Sequence, residues 1–190
     1  MRTKLLLGLL VLSALVQLAV PASLIARYET ALRAGQVFKF RTVLRDPRDP
    51  LRGRYVALGF DEHATTVSNA PKTFQYQKVY ALVAQDTDGF ARITAIALEK
   101  PVGGAYITAR AGYTHSAGTQ VFLPLTRFYM EESAAPQAEQ AFRAHSGVEH
   151  RDAYVSVRVH NGDAVIEDLY IDGKTMREHL ATLPEAAKAK

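Results

Sequence analysis

The residues best suited to chemistry in this chain are two aspartates that stand three positions apart in a proline-rich turn. Asp46 and Asp49 lie in the run Arg-Asp-Pro-Arg-Asp-Pro-Leu-Arg-Gly, residues 45–53, and each precedes a proline. General acid/base hydrolysis needs two carboxylates fixed across a cleft, and Asp46 or Asp49 could act in this way with Glu131 or Glu132. Aspartates before proline also commonly initiate turns by accepting backbone hydrogen bonds, and we favour this structural role.

The other residue types able to support catalysis or metal binding show no convergent pattern. The six histidines form neither a His-x-His nor a His-Glu-x-x-His motif, and the nearest cluster, His145, Glu149 and His150, falls in a polar stretch. Ser116 stands beside His115 in a turn-like stretch, without the Gly-x-Ser-x-Gly context of a hydrolase nucleophile. The chain has no cysteine, which excludes disulfides, thiolate zinc sites and cysteine nucleophiles. We therefore expect no metal and no cofactor.

An apolar run at the N-terminus is the element that places the rest of the chain. Leu5–Ala26 contains 22 residues without a charged side chain and follows Arg2 and Lys4. A helix of that length is about 33 Å long, which is enough to cross a hydrocarbon core of roughly 30 Å. The positive charges of Arg2 and Lys4, in the short segment before the apolar run, predict that the N-terminus is cytoplasmic and that the chain after the run is exported. A cleaved signal segment, cut around residues 20–22, is the alternative.

The remainder of the chain alternates between apolar and polar residues as half-buried strands do. Two stretches alternate in this way, Gln36–Leu44 and Asp152–Val159. In the first, Phe38, Phe40, Thr42 and Leu44 share one face of a half-buried strand. In the second, Val155, Val157 and Val159 are predicted to face inward, and Tyr154, Ser156 and Arg158 to face outward. Asn161-Gly162 is a residue pair typical of a tight hairpin turn. Further short strands are predicted at residues 54–60, 78–84, 90–98, 105–112, 119–125, 126–130 and 164–171.

Loops and one helix complete the predicted fold. Residues 61–72 are polar and predict a loop, whereas Gln137–Arg143 is rich in helix formers and follows Pro136. About eight short strands without βαβ alternation indicate a mainly β fold, a small antiparallel barrel or sandwich with one short helix, preceded by a transmembrane helix. The predicted divisions are a stub, a membrane anchor, a juxtamembrane helix end, an exported β domain and a C-terminal helix or tail, at 1–4, 5–26, 27–34, 35–174 and 175–190.

The charge of this exported part argues against nucleic-acid binding. Removing Arg2 and Lys4 from the 23 basic residues leaves 21 against 19 acidic ones, a balance of +2. A nucleic-acid site needs a basic stripe able to neutralise several phosphates. We expect the chain to associate instead with a membrane and with an envelope or membrane-protein partner.

Three segments of the chain carry motifs that resemble those of a known family. Residues 46–60 read Asp-Pro-Arg-Asp-Pro-Leu-Arg-Gly-Arg-Tyr-Val-Ala-Leu-Gly-Phe and are similar to the signature Gly-Asp-Tyr-x-x-Leu-x-Tyr of the GDYXXLXY-domain family, a bacterial membrane-associated family of uncharacterised activity. Residues 127–132, Arg-Phe-Tyr-Met-Glu-Glu, and residues 164–173, Ala-Val-Ile-Glu-Asp-Leu-Tyr-Ile-Asp-Gly, resemble two further family segments. Arg54 replaces the signature aspartate and Phe60 the final tyrosine, which argues against a catalytic carboxylate at position 54. The resemblance implies a single-pass protein with an exported domain.

We interpret the motif residues as structural, because a proline-clamped corner would feed a core strand with Leu58 on one face and Tyr55 on the other. The expected function is a non-enzymatic binding or accessory module at the inner (cytoplasmic) membrane. The alternative is an exported hydrolase or carbohydrate-active enzyme that uses Asp and Glu carboxylates. The motif and structural residues are Asp46, Pro47, Arg48, Asp49, Gly53, Tyr55, Leu58, Phe60, Arg127, Tyr129, Glu131, Asp172 and Gly173.

Overall fold

The computed structural model describes most of the 190-residue chain, namely residues 2–44, 55–60, 66–67, 76–115, 118–131, 133–147 and 151–182. These ranges contain three α-helices: α1 (Arg2–Ala34), α2 (Ala135–His145) and α3 (Met176–Thr182). The rest is mainly β, as the alternation predicted, and its two antiparallel sheets each curl into a half-barrel.

The larger sheet has six described strands: β1 (Gln36–Leu44), β2 (Tyr55–Phe60), β8 (Arg127–Tyr129), β9 (Tyr154–His160), β10 (Asp163–Ile171) and β11 (Lys174–Thr175). Their order across the sheet is β11-β10-β9-β1-β2-β8. The second sheet has five: β3 (Thr66–Val67), β4 (Lys78–Gln85), β5 (Ala91–Ala97), β6 (Ala105–His115) and β7 (Gly118–Phe122). Their order is β3-β7-β6-β4-β5.

Helix α1 carries the apolar N-terminal run and, as predicted, continues through residues 27–34. Leu6–Ala34 is long and apolar enough to cross a membrane, with a mean hydropathy of 2.2 and none of its most apolar window buried in the protein. The helix ends at Gly35, whose N–H donates to the Ala31 carbonyl oxygen over 2.9 Å. A β-carbon at position 35 would collide with that oxygen, so glycine permits the tight entry into β1.

Long-range pairing of β1 with β9 forms the centre of the larger sheet. Phe38 lies opposite Val157 and Phe40 opposite Val155, and all four side chains are buried. The predicted inward faces of both strands are therefore confirmed. Phe40 also meets Phe60 of β2 edge to face, with ring centroids 6.2 Å apart.

The β9–β10 turn joins the two sheets. Asn161 and Gly162 both have positive φ, as the predicted tight turn requires, and the Gly162 carbonyl accepts a 2.8 Å hydrogen bond from the Thr108 N–H of β6. A β-carbon on Gly162 would lie 2.7 Å from the Thr108 hydroxyl and from the Tyr106 ring. Glycine therefore provides both the backbone conformation and the space for this contact.

Helices α2 and α3 pack against the larger sheet. Pro136 lies in the first turn of α2, as predicted, and Ala138 and Phe142 are buried. The start of α3 is a capping box, since the Thr175 N–H donates to Glu178 and the Glu178 N–H donates to the Thr175 hydroxyl. The buried Met176 then fixes α3 to the core.

Three differences between the structure and the sequence-based expectations have a clear physical reason. The predicted loop 61–72 contains the short strand β3, which pairs with β7 and lacks an alternating apolar pattern. Strand β6 continues to His115 instead of ending at Gly112, because β7 remains paired with its last residues. Ser156, expected to face solvent, is only 5% exposed between its cross-strand neighbours Lys39 and Asp168.

Candidate functional site

The six-stranded sheet curls until strand β8 approaches strand β10 from the opposite end of the strand order. Both strands line one groove of about 560 Å³, which we call the seam groove. Tyr28 of α1 also lines this groove, so it opens beside the base of the apolar helix. The complete lining is Tyr28, Pro124, Leu125, Thr126, Arg127, Phe128, Tyr129, Ala164, Val165, Ile166 and Glu167.

A second cavity of about 390 Å³, the distal pocket, shares part of this lining. Phe128, Tyr129 and Glu167 border both spaces, so the two spaces adjoin. Their combined lining extends from Tyr28 of α1 to Leu180 of α3. The distal pocket is lined by Phe128, Tyr129, Met130, Glu131, Ala134, Glu167, Asp168, Met176, Arg177 and Leu180.

Strand β10 contains a β-bulge where it borders both spaces. Ile166 pairs with Val157, and Asp168 pairs with Ser156, so Glu167 is an additional residue in the ladder. A bulge bends its strand and redirects the neighbouring side chains. Glu167 and Asp168 consequently both border the distal pocket.

The acidic side chains of β10 are each engaged within the chain. Asp163 accepts a hydrogen bond from Arg27 of α1, with 2.6 Å between the guanidinium nitrogen and the carboxylate oxygen. Glu167 accepts two hydrogen bonds from Arg158, of 2.8 and 3.0 Å. The charges of Asp163 and Glu167 on the β10 wall are therefore compensated.

Asp168 is the acid of this wall with the most unusual environment. Burial raises the pKa of its carboxyl above the ordinary value, while a hydrogen bond from the Leu169 N–H and the nearby Arg177 act in the opposite direction. That hydrogen bond is 2.8 Å long. A carboxyl with a raised pKa takes up a proton more readily than an exposed aspartate does.

The three segments that resemble the family signature come together at this seam. The described part of the first segment is β2, whose Val56 pairs with Phe128 of the second segment in β8. The third segment contains most of β10 and forms the opposite wall of the seam groove. Segments that are more than 30 residues apart in the sequence are therefore neighbours in the fold.

The predicted site residues fall into three groups. Leu58 and Phe60 are buried in the core, and Tyr55 pairs with Tyr129 across β2 and β8. Asp172 and Gly173 form the positive-φ turn between β10 and β11. Three residues line the seam groove, the distal pocket or both: Arg127, Tyr129 and Glu131.

The remaining predicted residues lie outside the described residues. The corner role of the proline-rich turn and the pairing of its carboxylates with Glu131 or Glu132 therefore stay predictions. Those outside are Asp46, Pro47, Arg48, Asp49, Gly53 and Glu132.

Sequence reasoning did not find Tyr28 and Ile166 as residues of the seam groove, or Asp168 and Arg177 as residues of the distal pocket. One usable signal was present in β10, where the inward apolar positions 166 and 169 are three residues apart rather than two. Such a break in period-two alternation indicates a bulge. The participation of Tyr28 and Arg177 depends on how whole elements pack, and no local pattern shows it.

The histidine cluster considered from the sequence is only partly described. The His145 ring nitrogen Nδ1 lies 2.9 Å from the Asp152 carboxylate, and the His145 ring meets the His179 ring edge to face at 5.5 Å. Glu149 and His150 lie outside the described residues. The described residues contain no group of three or more histidine, aspartate and glutamate side chains able to hold a metal ion.

The fold and the groove define a small protein of two curled β-sheets that follows a helix long and apolar enough to span a membrane. The chain belongs to the GDYXXLXY protein family, whose model matches residues 17–169. The match includes the end of the apolar helix, both walls of the seam groove and Asp168. Comparison with curated proteins and with solved structures found no match.

Proposed function

We propose that this chain is a single-pass inner-membrane protein whose exported β domain binds a membrane or envelope protein through the seam groove. The module is non-enzymatic and acts as an accessory or binding component. The observation that carries the proposal is the position of Tyr28, which belongs to the apolar helix and also lines the groove. A groove at the base of an anchor lies within reach of proteins in the same membrane.

The character of α1 supports the membrane part of the proposal. Its apolar side chains are exposed over nearly its whole length, for example Leu10 at 67% and Leu18 at 67%. An apolar surface of this extent is costly in water but favourable in hydrocarbon. Arg2 and Lys4 precede the apolar run and orient its N-terminus toward the cytoplasm.

The topology can be tested with alkaline phosphatase, which becomes active only after export, fused behind Lys190 of the full chain. We expect an active fusion that stays in the membrane pellet after an alkaline wash. A soluble product whose N-terminus lies near Ser23 would contradict the anchor and support the cleaved signal. An inactive fusion in the membrane pellet would contradict the predicted orientation.

The binding role can be tested by photo-crosslinking in intact membranes. A benzoylphenylalanine placed at Tyr129, inside the groove, should form an adduct with a partner protein. The matched control is Tyr113 of β6, which is 49% exposed on the other sheet, against 69% for Tyr129. Equal adducts at both positions, or no adduct at Tyr129, would contradict a binding role for the seam groove.

A further inference from the structure

The backbone of β10 presents hydrogen-bonding groups to the seam groove. His160 of β9 lies opposite Asp163 of β10, next to the two-residue turn, and Arg158 lies opposite Val165 two residues further along. In an antiparallel ladder such alternate pairs exchange their N–H and C=O bonds with each other. Ala164 and Ile166 alternate with these paired residues along β10, so their backbone N–H and C=O groups must point away from β9. Both residues line the seam groove, so we infer that these groups face it.

Strand partners on that side of β10 are confined to its far end. Among the described strands, only β11 pairs there, at Tyr170 and Ile171. The Leu169 N–H, which would be the next outward donor, is occupied by its hydrogen bond to Asp168. The accessible edge is therefore the short run from Ala164 to Ile166, and it ends at the bulge.

We propose that the seam groove takes up an extended, uncharged peptide segment that adds to β10 as a strand. This inference rests on the proposed function and specifies its partner as a stretch of polypeptide next to a membrane span. Outward N–H and C=O groups at alternate residues are matched by the backbone of another strand. A segment of four or five residues would be about 14–17 Å long.

The charges and the lining decide which segment fits. Asp163 is paired with Arg27, and Glu167 is paired with Arg158, so these two carboxylates of the β10 wall offer no unbalanced charge to a ligand. Phe128 and Ile166 supply apolar surface on the two walls. At these two carboxylates a charged side chain would lose hydration without gaining a partner, whereas alternating β-branched residues suit a strand.

The absence of cysteine from the chain allows a direct experiment. Thr126→Cys places one thiol on the exposed side chain of a groove residue in the full-length chain, purified in detergent micelles. The probe is the capped peptide Thr-Val-Thr-Val-Thr with a terminal cysteine, joined by a disulfide. Tethering raises its effective concentration to about the millimolar range.

Amide hydrogen exchange at Ala164 and Ile166 is the measurement. If the tethered probe fills the groove about nine-tenths of the time, both amides should exchange about tenfold more slowly, because only the open fraction exchanges. Val165 bonds to β9 and should change little. The matched controls are an N-methylated probe, which lacks the required N–H groups, and the same probe tethered at Thr94→Cys on β5.

Each outcome decides between the possibilities. Unchanged exchange at Ala164 and Ile166 with the Thr126 tether, or equal slowing by the N-methylated probe, overturns strand addition. If the Tyr129 adduct persists in that case, the proposed binding function stands and only its mode is wrong. If exchange at these amides is already slow without a probe and becomes slower as the protein concentration rises, a second copy of the chain occupies the edge. That result also overturns the proposal.

Discussion

The two sheets contribute to one core but differ in what they present at the surface. Val79, Ile107 and Val121 of the five-stranded sheet are as deeply buried as Phe40 and Val155 of the six-stranded sheet, and all belong to one cluster. Within the described part of the chain, the six-stranded sheet alone contains strands from all three segments that resemble the family signature, and it forms both walls of the seam groove. The two sheets thus share their burial but differ in their surfaces, and the proposed function assigns binding to the six-stranded sheet.

The largest effects should come from breaking the shared core on either side. Phe40→Ala should lower the free energy of unfolding by about 3–5 kcal/mol, and Ile107→Ala by about 2–5 kcal/mol, because both side chains are fully buried. Chemical denaturation followed by circular dichroism should give one transition in both variants. Separate transitions for the two sheets would contradict a single cooperative core.

A smaller effect should follow from disturbing the contact between the sheets. Gly162→Ala and Gly173→Ala both place a side chain at positive φ, which costs about 1–2 kcal/mol. At Gly162 the new β-carbon also meets Thr108 and Tyr106, which should cost about a further 1–3 kcal/mol.

Gly173 is the matched control, since a β-carbon added there would meet no described atom within 4 Å. Thermal melting of the two variants gives the difference directly. Equal losses would mean that the β9–β10 turn does not need its close approach to β6.

A local effect should distinguish the end of the six-stranded sheet from a turn of the other sheet. Thr175→Ala removes the cap of α3 and should lower stability by about 1 kcal/mol. Thr87→Ala is the control. The Thr87 backbone N–H donates a 2.7 Å hydrogen bond to the Asp86 carboxylate, and this bond survives the substitution. Denaturation at neutral pH should rank the two variants in that order, and the reverse order would contradict the capping role.

The faces of the long strands could be predicted from the sequence, whereas their neighbours could not. Alternation places Phe38, Phe40 and Val155 inward because a strand has a period of two. It does not say that β1 pairs with β9, more than 100 residues away, or that β8 faces β10. Those relations depend on sheet curvature, to which the bulge at Glu167 contributes.

The candidate site was therefore predictable only in pieces. Arg127, Tyr129 and Glu131 were selected through their segment, and they line the seam groove, the distal pocket or, for Tyr129, both. Asp168 was passed over because its distinguishing feature is burial, which period-two reasoning does not assign to a residue on the outward face. Ser156 was misjudged for the same reason.

The smallest effects are expected from pH, and they should differ in sign between the sheets. Asp168 has a raised pKa, so its contribution to stability falls as pH rises from about 3.8 through that raised value. Asp86 in the β4–β5 turn has a pKa lowered chiefly by the Thr87 N–H, so its contribution is lost as pH falls through that lowered value.

Stability profiles of Asp168→Asn and Asp86→Asn, each subtracted from the original chain between pH 3 and 7, would test this. We expect Asp168→Asn to remove a decline toward neutral pH and Asp86→Asn to remove a decline toward acid. Differences of the same sign would contradict the burial of Asp168 as the cause.

The entry from α1 into β1 contains no spacer. Ala31 is fully buried, Gly35 lies against Val159, and Arg27 bonds to Asp163 on β10. In the proposed membrane setting, the domain would therefore have a fixed orientation relative to its anchor, instead of moving freely on a flexible linker. A partner would meet the groove at one height and one azimuth, so encounters would depend on lateral diffusion and on the rotation of the anchor, not on the length of a linker.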